Sequence, residues 1–171
     1  NNATMMRDQY GNPGAYTDEK VHSLGGGLMH VERAANASVL MGVEGDGIVA
    51  PSILGSHSFG NVPVIDNMCV SNEGVEVVLR DTKGEGGTFD LRMENNRNAD
   101  LPGVQLQVTP AQVTVPPNGE RTVFVSLGFD SAQFAGESLA EFQFYLVADR
   151  NDGQQTMSMP FYYRAVPSQP N

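Results

Sequence analysis

Val113-Thr114-Val115-Pro116-Pro117-Asn118-Gly119-Glu120-Arg121-Thr122-Val123-Phe124-Val125-Ser126-Leu127 decides the fold. Val113 and Val115 alternate with polar neighbours, and Val123, Val125 and Leu127 resume the same period of two. Successive side chains of a strand point to opposite faces, so each run is a half-buried strand. Between them, proline fixes φ for a turn, and Asn and Gly tolerate the positive φ that a reversal needs. The stretch therefore reads as strand, turn, strand.

The pattern extends in both directions. Phe89, Leu91 and Met93 alternate with Asp90, Arg92 and Glu94, and Val104, Leu106 and Val108 alternate with Gln105 and Gln107. Phe142, Phe144 and Leu146 form another run, and Met157, Met159, Phe161 and Tyr163 the last. With Ile53 to Val62 and Val75 to Leu79 this predicts about eight strands. Lys83-Gly84-Glu85-Gly86-Gly87 links two of them, and Asp152-Gly153 sits where the last hairpin would reverse. No helix-length segment interrupts the run, so the sheets are expected to be antiparallel. Such spacing predicts a mainly β chain, an antiparallel sandwich of the immunoglobulin or fibronectin type III kind. Pro160 inside the last strand predicts an edge or a bulge, because it cannot donate to a ladder.

The first part of the chain differs. Residues 1 to 24 are polar and turn-rich around Tyr10-Gly11-Asn12-Pro13-Gly14. Leu28, Val31 and Ala35 then fall at helical spacing, predicting one short helix near 28–36. Ser38 to Val43 turns strand-like. The expected organisation is an extension over 1–47 and a sandwich over 48–171.

Composition narrows the function. Of 171 residues, 20 are acidic and 10 basic, a formal charge of −10. Phosphates reward basic patches, so nucleic acid and anionic membrane surfaces are poor partners. No run of about 20 apolar residues is present to cross a membrane. One cysteine, Cys69, excludes an intrachain disulfide and reads as a small buried side chain. No signal peptide is visible, and a start at Asn1 rather than Met reads as a processed or excised piece. A secreted or cell-surface location is expected.

No segment of the sequence has the spacing of a catalytic or metal site. Gly55-Ser56-His57-Ser58-Phe59-Gly60 misses the spacing of a nucleophile elbow and lies on an expected strand, read as having an outward polar face. Glu76, Asp90, Glu94 and Glu141 fall on the outward phase of strands, where a solvated face explains them. His22, His30 and His57 lack metal-ligand spacing. Asp149-Arg150-Asn151-Asp152-Gly153 and Glu44-Gly45-Asp46-Gly47 resemble calcium loops only in composition; a hairpin turn and a connector explain them better. Gly25-Gly26-Gly27 lacks the lysine of a phosphate-binding loop. Tyr145, Tyr162, Tyr163 and Phe161 form an aromatic cluster, read first as packing and second as a ligand platform. No catalytic, metal or cofactor residue is assigned.

The order of segments resembles the region that follows the catalytic serine in secreted subtilisin-like proteases. Leu24-Gly25-Gly26-Gly27-Leu28-Met29-His30-Val31-Glu32-Arg33-Ala34 is similar to that family's glycine-rich signature, with Leu24 for the usual Gln. His57-Ser58-Phe59-Gly60-Asn61-Val62, Val115-Pro116-Pro117-Asn118-Gly119-Glu120 and Met159-Pro160-Phe161-Tyr162 resemble segments of its fibronectin-like domain. The family's G-T-S-M-A-x-P nucleophile motif has no counterpart. The resemblance implies a non-catalytic accessory domain packed on an upstream catalytic domain, with a protein substrate as a further partner. As a severed tail, its segment around Leu28, Met29 and Val31 would be exposed. The alternative is an adhesin-type or carbohydrate-binding sandwich module.

Overall fold

The computed structural model describes residues 3–4, 28–29, 31–45, 52–64, 74–95, 103–130 and 140–167. In chain order its elements are β1 (Ala3–Thr4), β2 (Leu28–Met29), α1 (Val31–Asn36), β3 (Val39–Gly45), β4 (Ser52–Leu54) and β5 (His57–Val64). There follow β6 (Val75–Asp81), β7 (Gly87–Asn95), β8 (Val104–Thr109), β9 (Gln112–Val115), β10 (Glu120–Phe129), β11 (Ala140–Arg150) and β12 (Thr156–Pro167).

Two five-stranded sheets form the sandwich. The first has the order β4-β3-β6-β10-β8 and the second β5-β12-β11-β7-β9. The fold class is thus the mainly β, immunoglobulin-like sandwich that the alternation predicts, with one short helix among the described residues. Every pairing within the two sheets is antiparallel except β5 with β12, which is parallel. β3 pairs with β6, Val39 opposite Asp81, so the sandwich reaches back into the stretch read as extension.

The two faces follow the period of two. On β10, Val123, Val125, Leu127 and Phe129 are buried while Arg121, Thr122 and Phe124 are exposed. Inward residues of both sheets merge into one core that includes Val39, Leu79, Phe89, Leu146 and Met159. At its centre Phe144 and Phe161, directly opposite on β11 and β12, stack with ring centroids 5.1 Å apart and planes 3° from parallel. Phe59 of β5 leans on both, at 6.2 and 5.9 Å. Such cross-strand aromatic pairs add to area burial and fix register.

From β4 to β11 each successive strand lies in the other sheet, and two of these crossings join edge strands. From β4 the chain crosses to β5 through Gly55-Ser56, and from β8 to β9 through the cis Thr109–Pro110 bond and Ala111. One crossing lies on each lateral side of the sandwich, because β4 and β5 sit at one pair of edges and β8 and β9 at the other. At Gly42 the hairpin partner comes so close that an added Cβ would meet Ile53 Cγ2 at 2.2 Å and the Leu54 carbonyl oxygen at 2.4 Å. Only glycine fits there.

One end of the sandwich is tied by polar contacts. The Pro116–Gly119 turn closes with the Gly119 N–H donating to the Pro116 carbonyl at 3.0 Å, and Asn118 takes the positive φ of 57° that the sequence required of it. The buried Asp81 carboxylate accepts from the backbone N–H of Asn118 at 2.6 Å and of Lys83 at 3.2 Å. Gln155, in the β11–β12 connection, reaches the other sheet. Its Oε1 accepts from the N–H groups of Ser38 and Val39 at 3.2 and 3.3 Å, and its Nε2 donates to the Val39 carbonyl at 2.7 Å. The side-chain amide thus gives β3 what a neighbouring strand would give it.

Two local expectations need correction. Pro160 is on neither an edge nor the bulge itself: β12 runs between β5 and β11. Proline is tolerated because β5 begins pairing only at Phe161, leaving no ladder to break on that side. The irregularity falls later, between Tyr162 and Arg164. The helix is shorter than expected. Leu28–Met29 is extended and paired with Ala3–Thr4, and only Val31–Asn36 is helical. Six residues make fewer than two turns, too few for a helix to be stable without packing. Val31 is 69% exposed, which suits a short surface helix as well as a severed tail.

Candidate functional site

The residues considered for catalysis do not converge. His57 points inward, its ring 5.1 Å from Phe59 edge-on and 5.9 Å from Phe161, and the outward polar face expected of this strand is carried by the exposed Ser58. Burial lowers its pKa, favouring the neutral ring. Ser58 points away and accepts from the Gly60 N–H at 3.2 Å. Glu76, Asp90 and Glu94 are exposed on outward positions, as expected of a solvated face. Among the described residues no group of three His, Cys, Asp or Glu side chains could hold a metal ion. His22, His30, Gly25 to Gly27, Asp46, Gly47, Cys69 and the Glu141 side chain lie outside what the structure describes.

The Asp149–Gly153 segment is a hairpin turn. The Gly153 N–H donates to the Arg150 carbonyl at 2.8 Å, with Gly153 at φ 74°. Asp149 is engaged by Arg92 and by Thr156 Oγ1 at 2.7 Å, and Asp152 accepts from the Gln154 N–H at 3.0 Å. Burial raises the Asp149 pKa, but the bonds from Thr156 and Arg92 outweigh it and the net shift is downward.

The aromatic cluster divides. Phe161 and Tyr163 are core residues, whereas Tyr145 and Tyr162 stand half-buried on the outward face of the second sheet. Strand alternation in the sequence already separates Tyr162 from its neighbours on either side.

What sequence motifs did not expose is the state of the sheet edges. An edge strand offers a row of unpaired N–H and C=O groups, and proteins blunt such edges by shortness, proline, bulges or charge. Among the described residues of the two five-stranded sheets, four strands stand at an edge. β4 has three residues. β5 carries Pro63, Gly60 at φ 68° and the irregular pairing with β12. β9 has four residues, is followed by Pro116, and is tied sideways by Gln112 to Asp90 at 2.7 Å and Thr114 to Thr88 at 2.9 Å. β8 is bounded by Gly103 at φ 78° and by Pro110, but within the strand it has none of these devices. Its six residues, Val-Gln-Leu-Gln-Val-Thr, contain no proline, glycine or charge and pair in unbroken register with β10.

The side chains of β8 alternate cleanly. Gln105, Gln107 and Thr109 are exposed. Val104, Leu106 and Val108 are half-buried against the core, as is Met93 of β7, the strand facing β8 across the sandwich. β9 pairs only with Gly87 to Asp90, so beyond Leu91, whose N–H donates to the Ala111 carbonyl at 2.7 Å, no described strand covers β7 on this side. There β7 carries the Arg92–Glu94 ion pair at 2.7 Å on its outward face. The uncharged edge at this side of the sandwich is therefore β8.

No family model and no curated protein matches the chain. Solved structures resemble the sandwich at low identity. The periplasmic chaperone SfaE is 12% identical, with a TM-score of 0.44 over 77% of this chain and 57% of its own. The CupB2 chaperone of Pseudomonas aeruginosa is 20% identical, with a TM-score of 0.42 over 64% of this chain and 52% of its own. The CooA pilin subunit of enterotoxigenic Escherichia coli is 13% identical, with a TM-score of 0.46 over 78% of this chain and all of its own. The chain spans little more than half the length of the chaperones. At this identity the likeness concerns the fold.

The subtilase resemblance is overturned by these neighbours, which are immunoglobulin-like sandwiches of a different kind, with no subtilase among those described. The accessory-domain role and the upstream catalytic partner fall with it.

Proposed function

We propose that this chain is a non-catalytic interaction module, working outside the cytoplasm, that receives an extended segment of a partner protein along the free edge of β8. The observation that carries the reading is the contrast between edges. Three of the four are blunted, and the fourth offers roughly 20 Å of regular backbone at the usual rise per residue. Adding a strand to such an edge is a recurrent mode of peptide recognition: main-chain hydrogen bonds supply affinity and alternate side chains supply selectivity. A setting outside the cytoplasm is that of the periplasmic chaperones and pilin the sandwich resembles. Membership of a pilus-like assembly is the corresponding role proposed here. The module is the two-sheet body, with the residues before β3 as an extension to it.

A photo-crosslinking amino acid placed at Gln107, and separately at Thr122 as a control, tests the reading in the producing cell. Both positions are exposed on the first sheet, but only Gln107 is on the β8 edge. A discrete adduct from Gln107 alone is expected. Equal adducts from both positions, or none from Gln107, would refute the edge as the docking site.

A further inference from the structure

We infer that Asn118-Gly119 is a self-modification site. The turn between β9 and β10 can convert Asn118 to aspartate or isoaspartate, and Asp81 restrains that reaction while this end of the sandwich is closed. The pair is the one Asn-Gly in the chain. Glycine has no Cβ, so its backbone nitrogen meets the least obstruction in reaching the carboxamide before it. The Gly119 nitrogen gives up its proton and bonds to Asn118 Cγ, the Cγ–Nδ2 bond breaks, and ammonia leaves carrying a proton. Water then opens the cyclic imide at either carbonyl, giving aspartate or isoaspartate. One water is consumed and one ammonia released, with no oxidant or reductant. Asn118 is exposed, so water reaches it.

The closed turn withholds both reacting groups. The Gly119 N–H is committed to the Pro116 carbonyl at 3.0 Å. The Asn118 carboxamide lies over the loop between β6 and β7: a Cβ built on Gly84 would stand 3.2 Å from its Oδ1 and 3.3 Å from its Nδ2. At Gly86 a Cβ would meet the Val115 carbonyl oxygen at 2.7 Å, so loop and turn are in close contact. Asp81 grips the main chain on both sides of the bond that reacts. Its carboxylate accepts from the Asn118 N–H at 2.6 Å, and its own N–H donates to the Gly119 carbonyl at 2.9 Å. Attack therefore waits for local opening, and its rate follows the open population.

The product cannot be gripped in the same way. In isoaspartate the main chain runs through Cβ and Cγ, which makes it one atom longer between the two bonds to Asp81. In either product a carboxylate replaces a neutral amide beside the buried Asp81 carboxylate, and like charges repel. The loss of ammonia is irreversible, so the site keeps a covalent record of each opening that reacts.

The test follows the full chain in mildly alkaline buffer by peptide-resolved mass spectrometry. Unfolded in urea, the chain should convert at Asn118 ahead of its other asparagines. The folded chain should convert at least about tenfold more slowly, the factor carried by one charge-assisted bond. Asp81→Ala, checked for folding by circular dichroism, should speed the folded reaction about tenfold. Phe144→Ala weakens the core where β11 pairs with β12 and should speed it less. A measurement free of variants uses converted wild type, whose Asp81 amide should exchange hydrogen faster than in unconverted chain. Equal rates in folded and unfolded chains, or as great an effect of Phe144→Ala as of Asp81→Ala, overturn the local restraint. An unfolded chain that leaves Asn118 intact overturns the site. An Asp81 amide that exchanges equally before and after conversion overturns the loosened grip.

Discussion

Replacing Gln155 by Ala removes the amide that joins the turn between β11 and β12 to the start of β3. Three backbone groups lose a partner: the N–H of Ser38, the N–H of Val39 and the carbonyl of Val39. All lie in residues at most 1% exposed, so water cannot reach them while the sheets stay closed. Stranding a buried polar group costs about 1–3 kcal/mol, and a net hydrogen bond contributes about 1 kcal/mol. The shorter side chain leaves room for a water to recover part of this, which places the expected loss at about 3 kcal/mol. For a chain of this size that is roughly 10 °C in Tm. Urea unfolding at pH 7 should show a lower midpoint with unchanged m, and the Val39 amide should exchange faster than amides of β6. A loss below about 0.5 kcal/mol, the level of an ordinary surface change, would refute the idea that this amide ties the two sheets.

Asp81→Asn tests the polar knot at the same end. Burial raises the Asp81 pKa, but the backbone N–H groups of Asn118, Lys83, Gly86 and Glu85 outweigh it and the net shift is downward. A depressed carboxylate adds stability above its unfolded pKa of about 4 and loses it as pH falls through the folded value. Asn should flatten that acid limb in urea midpoints measured from pH 6 to pH 3, and an unchanged limb would exclude the role. His57 shifts in the same direction from a different cause, because burial lowers its pKa. The unfolded chain takes up the proton first, so stability should fall as pH drops below about 6.5 and level off below the folded pKa. His57→Phe should remove that part of the slope between pH 7.5 and 5.5, and parallel wild-type and variant curves would contradict it. Phe144→Ala should cost about 3–5 kcal/mol by calorimetry, because a ring 1% exposed and stacked on Phe161 leaves a cavity that strand backbones cannot close.

Alternation is a local property, and so the strands were legible. β7, β8, β9 and β10 lie where Phe89, Val104, Val113 and Val123 begin their runs. The inward set was legible with them, since the period assigns every second residue to the core. Partnership is non-local, and it was not legible. Nothing in the residues of β5 says that it runs parallel to β12, because that depends on a crossing at Gly55-Ser56 that moves the chain to the other sheet. The same holds for Pro160, which reads as an edge signal and sits inside a sheet. The candidate docking edge was hidden for a related reason. Val-Gln-Leu-Gln-Val-Thr is visible as a strand, but whether its second side is covered depends on the order of strands about 30 or more residues away in sequence, such as Ala140–Arg150 of β11.

The misleading family resemblance has the same origin. Val115-Pro116-Pro117-Asn118-Gly119 matched because a reversal of this geometry needs a fixed φ followed by a positive one, which Asn118 supplies at 57°. Met159-Pro160-Phe161-Tyr162 matched because the strand carries buried Met159 and Phe161 on one face and reaches β5 only after the proline. His57-Ser58-Phe59-Gly60 matched because an edge strand over a phenylalanine core needs one inward ring and tolerates a glycine beyond it. Each motif is a demand of the sandwich, and any chain that builds this sandwich meets it with similar residues. Agreement among several such motifs is therefore repeated testimony to one fold, since the fold itself imposes their order. A family is distinguished by residues the fold does not require, such as a nucleophile with its base or a ligand set, and none of those was present to be matched. What the fold does not require here is the bare edge of β8. Blunting it would take a single lysine at Gln107, at a stability change of about 0.5 kcal/mol or less, so its lack of charge is not imposed by folding.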